Sequence, residues 1–147
     1  GFSDFNIRTY SLADFSLQKE WTAHTNSIFS LQFTPDNKHL VSASRDAYIK
    51  IWDIWNHFEL EQSIVAHLYA INSVAFSPNG KYFATGSMDK TVKIWDASEW
   101  KLLKVLDKSR HAGHATSVNK VIWLDDEKLI SGSDDKMLSL WELSDEN

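Results

Sequence analysis

Residues 66–96 read AHLYAINSVAFSPNGKYFATGSMDKTVKIWD, which is three strand-like runs separated by two turn signals. The first turn contains Pro78, Asn79 and Gly80, which favour a tight hairpin between the apolar runs on either side. The second turn, residues 85–90, leads into residues 91–95, where polar and apolar residues alternate. The stretch therefore predicts three short antiparallel strands.

The chain contains this pattern three times. Each copy begins with a histidine, an aspartate follows 22, 22 or 21 residues later, and a tryptophan follows six residues after the aspartate. A serine or threonine recurs four residues before each aspartate. A period of about 43 residues is typical of proteins built from stacked supersecondary units. The recurrent quartets are His24, Ser42, Asp46 and Trp52; His67, Thr85, Asp89 and Trp95; and His114, Ser131, Asp135 and Trp141.

A partial copy precedes the three full ones. Asp4 and Tyr10 are six residues apart, like the aspartate and tryptophan of each full copy, and Ser11 stands where an acidic residue follows the tryptophan. We therefore interpret residues 1–147 as a single repeat segment. Its units are a partial repeat at 1–21 and full repeats at 22–53, 65–96 and 112–142, linked by outer strands at 57–65 and 99–106.

The strand signals predict an all-β fold with four antiparallel strands per repeat. Helical periodicity is absent, and turn residues punctuate the chain at regular intervals. Val74 and Phe76 on one strand, with Val92 and Ile94 on another, leave few positions for a solvent face. A small sheet cannot bury two apolar faces alone, but it can when it stacks on a neighbour on each side.

These motifs together resemble the WD-repeat family of β-propellers. The residues that carry the resemblance are the histidine, the Ser-Pro-Asn-Gly hairpin, the Ser-x-Ser-x-Asp turn and the closing Ile-Trp-Asp, and they cover nearly the whole chain. The resemblance implies that each quartet forms a hydrogen-bonded chain inside one blade. A Ser-His-Asp hydrolase triad is the alternative interpretation. We reject it because the constellation recurs three times at the same offsets, and no Gly-x-Ser-x-Gly turn is present.

The resemblance also implies a protein-binding face around the propeller channel. Three positions per repeat are expected there: the third and fifth after the histidine and the one before the aspartate. The aromatic, arginine and methionine side chains in this set are residue types that anchor interfaces, although half-covered rim residues are the alternative. The candidate positions are Ser27, Phe29 and Arg45; Ala70, Asn72 and Met88; and Ser117, Asn119 and Asp134.

Composition narrows the possible partners. The chain has 147 residues, a net charge of −5 and no cysteine. An acidic chain without a basic run is not expected to bind nucleic acid or an anionic membrane. No apolar stretch approaches the roughly 20 residues that span a bilayer. The lack of cysteine fits an intracellular setting, cytoplasmic or nuclear.

Several remaining residues are expected to be structural or solvated. His111 lies near His114 but lacks further ligands, so we expect an exposed loop histidine and no metal site. Trp55 and Trp100 are predicted to pack on the outer strands. The acidic run at residues 125–127 is expected to be a solvated turn. We expect no catalytic residue and no cofactor.

The number of repeats sets the expected function. The chain holds roughly three and a half repeats, whereas propellers have about 4 to 8 blades. We therefore expect a partial propeller, a segment of a larger ring of about seven blades whose remaining blades are partners; self-assembly into a ring is the alternative. The predicted function is a non-enzymatic scaffold for protein–protein contacts. The alternative is a regulatory or sensor propeller domain of a larger multidomain signalling protein that recognises a peptide, modified or unmodified.

Overall fold

The computed structural model describes residues 4–144, and strands dominate this part of the chain. Within each sheet, strands that are consecutive in sequence pair with each other, and every pairing is antiparallel. The strands are β1 (Asn6–Tyr10), β2 (Leu17–Thr22), β3 (Ile28–Phe33), β4 (His39–Ser44), β5 (Tyr48–Asp53), β6 (Glu59–Val65), β7 (Ile71–Phe76), β8 (Tyr82–Ser87), β9 (Val92–Asp96), β10 (Lys101–Leu106), β11 (Val118–Trp123), β12 (Lys128–Ser133) and β13 (Leu138–Glu142).

The strands form four sheets. The partial sheet contains β1 and β2, the first sheet β3 to β6, the second sheet β7 to β10, and the third sheet β11 to β13. The predicted all-β fold of four-stranded antiparallel blades is confirmed by the two complete sheets. The partial sheet holds the strands of the partial repeat, of which residues 1–3 lie outside the described residues.

The first hairpin turn of each sheet is held by its own side chains. In the second sheet the Asn79 side-chain oxygen accepts hydrogen bonds from the Ser77 hydroxyl and the Lys81 N–H, each 2.9 Å long. The next residue, Gly80, has a φ of 73°, which glycine adopts at little cost. Asn37 takes the equivalent position in the first sheet with a φ of 56°, and asparagine tolerates this region better than most residues. The shared turn chemistry explains why the two hairpins match.

Two short helical turns accompany the strands of the all-β fold. A 3-10 turn spans Ile54–Asn56, and helix α1 spans Lys108–His111 in the longer loop before the third sheet. The side chains of Asp53 and Asp107 cap their first turns. A single turn buries no continuous apolar face, so it needs no helical periodicity in the sequence.

The core lies between successive sheets rather than within any one of them. The sheets stack in chain order, with the inner strands β3, β7 and β11 side by side. Three apolar layers fill the spaces between them. The layers contain Ile7, Ala23, Ile28, Leu40 and Trp52 between the partial and first sheets; Val41, Ala43, Ile49, Ile51, Ile71, Val74, Phe83 and Trp95 between the first and second; and Ala84, Val92, Ile94, Val118, Val121 and Leu129 between the second and third.

Hydrogen bonds join the second sheet to the third near both ends of their inner strands, β7 and β11. At one end the Asn72 side-chain amide donates to the Val118 carbonyl oxygen at 2.9 Å. At the opposite end the Asn79 N–H donates to the Asp126 carboxylate at 2.7 Å. The two sheets are therefore joined by polar contacts as well as by the apolar layer between them.

Both ends of the stack expose apolar faces. Leu138 and Leu140 on β13 are 77% and 63% exposed, whereas Ile49 and Ile51 at the equivalent positions of the first sheet are 0% exposed. Toward the other end, Leu31 on β3 is also exposed beside the two-stranded partial sheet, although its counterparts in the next two sheets are buried. The repeats themselves therefore show that these faces have the residue pattern of a covered sheet.

We expect the chain in isolation to associate or to unfold at low denaturant concentration, because these faces remain in water. Size-exclusion chromatography with light scattering and urea titration measure the two effects. Replacing Leu138 and Leu140 with lysine should reduce the association by charging one face. A monodisperse 16.9 kDa monomer with a sharp cooperative unfolding transition would contradict this expectation.

Candidate protein-binding face

Each quartet is a continuous chain of hydrogen bonds within one sheet. In the second sheet, His67 Nδ1 lies 2.8 Å from Asp89 Oδ2, and His67 Nε2 lies 2.6 Å from Thr85 Oγ1. Trp95 Nε1 donates to the same hydroxyl at 3.0 Å. The corresponding distances are 2.9, 2.7 and 2.9 Å for His24, Ser42, Asp46 and Trp52, and 3.1, 2.8 and 2.8 Å for His114, Ser131, Asp135 and Trp141.

Donor and acceptor roles follow from the chemistry of the two ends. The indole N–H of Trp95 can only donate, and the ionised carboxylate of Asp89 can only accept. The Thr85 hydroxyl therefore accepts from Trp95 and donates to His67 Nε2, while His67 Nδ1–H donates to Asp89. This assignment requires a neutral imidazole protonated at Nδ1.

The pKa values fit that assignment. Burial lowers the pKa of the His67 imidazole below its ordinary value, although the Asp89 carboxylate acts in the opposite direction. Burial alone would raise the pKa of the Asp89 carboxyl, but the hydrogen bonds from His67 and Thr91 outweigh it and keep that pKa low. The pKa of His24 is likewise lowered by burial. The pair therefore stays a neutral imidazole beside a carboxylate near pH 7.

The quartets are structural rather than open to a ligand. The side chains of His24 and His67 are 0% exposed, and both ring nitrogens of each are hydrogen-bonded. An imidazole in this state has no free nitrogen for a bound molecule. Among residues 4–144, no group of three or more histidine, aspartate and glutamate side chains is placed to hold a metal ion. No helix in that range is long and apolar enough to cross a bilayer.

The aspartate of each quartet also positions a loop. Asp89 Oδ2 accepts the Leu68 N–H at 3.2 Å, and Asp135 Oδ2 accepts the Ala115 N–H at 3.0 Å. Across the same gap the Met88 N–H donates to the Ala70 carbonyl oxygen at 2.9 Å. The loops before β3, β7 and β11 therefore lie beside the turns after β4, β8 and β12. We call the surface formed by these loops and turns the turn face.

The candidate positions on the turn face are not equally accessible. Phe29, Arg45, Met88, Asn119 and Asp134 are exposed. The Asn119 amide donates to the Asp134 carboxylate at 2.6 Å, which holds both side chains within the third sheet. The half-exposed positions are Ser27, Asn72 and Ser117.

Two candidate positions are covered or engaged within the chain. Ala70 is only 3% exposed; it directly precedes β7, and its carbonyl oxygen accepts the Met88 N–H of the turn after β8. The amide of Asn72 is engaged with the third sheet through the Val118 carbonyl oxygen. Position relative to the histidine therefore does not decide exposure by itself, since neighbouring sheets cover some of these positions.

Sequence reasoning missed two large apolar residues that are exposed on the turn face. Leu68 and Tyr69, which directly follow His67, are 82% and 62% exposed. A comparison of the residues at these positions in the three repeats could have indicated them. Thr25 and Asn26 occupy these positions in the first repeat and Ala115 and Thr116 in the third, so large apolar residues occur here only once in the three copies.

Three further expectations were wrong in detail. Trp55 does not pack on an outer strand but is 80% exposed on the 3-10 turn, which carries it away from the sheet. Trp100 packs between sheets, with its ring 5.7 Å from that of Phe83 and 5.4 Å from that of His39. His111 is half-buried rather than exposed, because helix α1 folds it toward Asp107.

Comparison with known proteins identifies the family. The family described as WD domain, G-beta repeat matches residues 15–53, 58–96 and 100–142, which together form most of the chain. The chain belongs to this family of WD-repeat proteins. The matched ranges include the outer strands β2, β6 and β10 at the start of each unit. The predicted resemblance is therefore confirmed.

Individual relatives match over shorter stretches. The Denticleless protein homolog of Gallus gallus is 42% identical over 38 residues, which is 26% of this chain and 5% of that protein. The WD repeat and HMG-box DNA-binding protein 1 of Homo sapiens is 37% identical over 54 residues, 37% of this chain and 5% of that protein. Denticleless protein homolog A of Xenopus laevis is 45% identical over 38 residues, with 26% and 5% covered.

Removing the shared hydroxyl of one quartet should destabilise the fold. Thr85→Val leaves Trp95 Nε1 without an acceptor and His67 Nε2 without a donor, at a cost of about 1–3 kcal/mol for each group. Thr85→Ser is the matched control, because serine occupies this position in the other two repeats and should cost about 1 kcal/mol for the lost methyl. Urea unfolding followed by tryptophan fluorescence measures both. Equal stability of the two variants would show that the hydroxyl contributes nothing.

Stability should fall in mild acid. The unfolded chain binds protons at histidine near pH 6.5, whereas the folded chain resists protonation of His24 and His67, so the free energy of unfolding decreases as pH drops below about 6.5. The lowered pKa values of Asp46 and Asp89 add a second loss below about pH 4. Urea titrations from pH 7.5 to 5.0 at constant ionic strength test the first window. An unchanged or rising stability would contradict the assignment.

Proposed function

We propose that this WD-repeat chain is a non-enzymatic scaffold that binds protein partners through its turn face. The proposal rests on the contrast between recurrent and variable residues. The polar residues that recur in all three repeats are turned inward and hydrogen-bonded, whereas residues that differ between repeats are exposed on this face. Variable side chains on a rigid, repeated frame are suited to recognition rather than to catalysis.

The exposed residues are of the types that anchor interfaces. Phe29 and Met88 present large apolar side chains, and Arg45 presents a guanidinium. Within residues 4–144, no ion pair or hydrogen bond occupies that guanidinium. It is therefore available for a carboxylate or phosphate of a partner.

We propose that additional propeller blades are a second kind of partner. The faces around Leu31 and around Leu138 and Leu140 have the pattern that the inner sheets bury against each other. A further four-stranded sheet of the same repeat is the complement that this chain itself shows twice. The name of one relative states that it binds DNA; for this chain, with a net charge of −5, we propose protein partners in an intracellular setting.

Peptide selection tests the turn-face proposal. A random peptide display library is selected on the immobilised chain, and the recovered peptides are titrated by fluorescence anisotropy. We expect Arg45→Ala to weaken binding at least fivefold, since it removes a charged anchor. Lys38→Ala in the hairpin turn after β3, away from the turn face, is the control and should leave the affinity within twofold. The melting temperature of both variants should match that of the parent chain.

Recovery of no peptide, or of peptides insensitive to Arg45 and Met88 substitutions, would contradict the proposal. A phosphorylated library run in parallel addresses the second function. An Arg45-dependent preference for phosphorylated peptides would favour the regulatory or sensor domain over the general scaffold.

A further inference from the structure

The turn face carries an apolar patch on the second sheet, which we call the Leu68–Tyr69–Met88 patch after its three exposed side chains. The backbone beneath it is held by three contacts. The Leu68 N–H donates to Asp89, and the Ala70 carbonyl oxygen accepts from both the Ser87 hydroxyl, at 2.8 Å, and the Met88 N–H. The patch is therefore ordered before any partner arrives, which lowers the entropic cost of binding.

The fold does not require large apolar residues at these positions. In the first repeat Thr25 replaces Leu68, and its N–H makes the same bond to the quartet aspartate at 3.1 Å. In the third repeat Ala115 does so at 3.0 Å. The backbone contact is thus independent of the side chain. Leu68 and Tyr69 therefore expose apolar surface that the backbone contact does not require.

The uncovered ends of the stack do not explain this exposure either. The second sheet has a neighbour on both of its faces, and its strand residues are buried on both. Leu68 and Tyr69 lie in the loop above the sheet, outside those layers. Further strands beside the partial sheet or beyond the third sheet would cover Leu31 or Leu138, but they would not replace either neighbour of the second sheet. The patch therefore needs a different occupant.

The charges near the patch indicate what kind of occupant fits. Lys90 lies two residues after Met88 in the same turn, and Arg45 and Lys136 lie in the equivalent turns of the neighbouring sheets. No ion pair engages these three cations within the described range. The quartet carboxylates on this face are committed to their histidines, and the Asp134 carboxylate in the turn of Lys136 accepts the Asn119 amide. The opposite surface, which contains the hairpin turns after β3 and β11, instead carries acidic residues at 36 and 125–127.

We propose that the Leu68–Tyr69–Met88 patch binds a peptide segment of a partner protein that combines a large apolar or aromatic anchor with flanking acidic residues. The anchor packs on Leu68 and Tyr69, and the acidic residues pair with Lys90 and Arg45. This proposal rests on the turn face being the protein-binding surface. A peptide fits better than an anionic membrane, because the chain is acidic overall and its cations are few and separated.

Two biased display libraries provide the test. Both place Trp, Phe or Leu at a central position; one enriches Asp and Glu at the flanking positions, and the other enriches Lys and Arg. We expect enrichment of the acidic library on the chain. Affinities of recovered peptides should fall as salt rises, since exposed charge pairs are screened.

The decisive variant exchanges residues between repeats. Leu68→Thr combined with Tyr69→Asn installs the pair that the first repeat carries at these positions, so folding should be preserved. We expect at least tenfold weaker binding of the acidic peptides with an unchanged melting temperature, and a similar loss for Lys90→Glu. Trp55→Ser, which removes an equally exposed aromatic residue outside the patch, is the matched control and should leave binding within twofold.

The outcomes separate this proposal from the broader one. Peptides that depend on Arg45 but bind the Leu68→Thr/Tyr69→Asn variant at full affinity would overturn the patch and leave the turn-face scaffold standing. Preference for the basic library would overturn the charge argument. Binding to vesicles of phosphatidylserine and phosphatidylcholine that the double variant abolishes, without peptide binding, would assign the patch to a membrane instead. Failure of every peptide would reject both proposals.

Discussion

A buried neutral imidazole constrains each repeat, because one of its nitrogens must donate a hydrogen bond and the other must accept one. His67 satisfies both needs with Asp89 and Thr85, and Thr85 in turn accepts the indole N–H of Trp95. This requirement links the loop before the inner strand to the second strand, the next turn and the third strand. Because the aspartate also accepts a loop N–H, the arrangement of the turn face depends on the same chain of bonds.

Recurrence separates stability from recognition in this chain. The ionisable groups that would suggest catalysis recur in each of the three full repeats, where they are hydrogen-bonded within the sheet. The residues available for recognition are those that differ between copies. One turn position holds Arg45, Met88 or Asp134, and one loop position holds Thr25, Leu68 or Ala115. A WD-repeat protein can thus change its partners through loop and turn residues while its hydrogen-bonded frame stays the same.

The sequence allowed the fold and the quartets to be predicted because both repeat at fixed offsets. The outer strand predicted at 57–65, for example, is observed at Glu59–Val65. Side-chain exposure was less predictable, because it depends on what packs around a residue and not on its offset. Ala70 is covered by the following turn, and Trp55 is turned outward by a local 3-10 turn. Helix α1 was missed because four residues bury no face that a periodic pattern could reveal.

The polar ties at both edges of the second and third sheets have a mechanical consequence. A layer of apolar side chains alone resists separation but permits sliding, since dispersion contacts have little directional preference. The bonds from Asn72 to Val118 and from Asn79 to Asp126 act at opposite ends of the strands, so they oppose both shear and twist of one sheet against the next. Loops on adjacent sheets therefore keep a constant spacing, and a ligand that bridges them contacts a rigid surface.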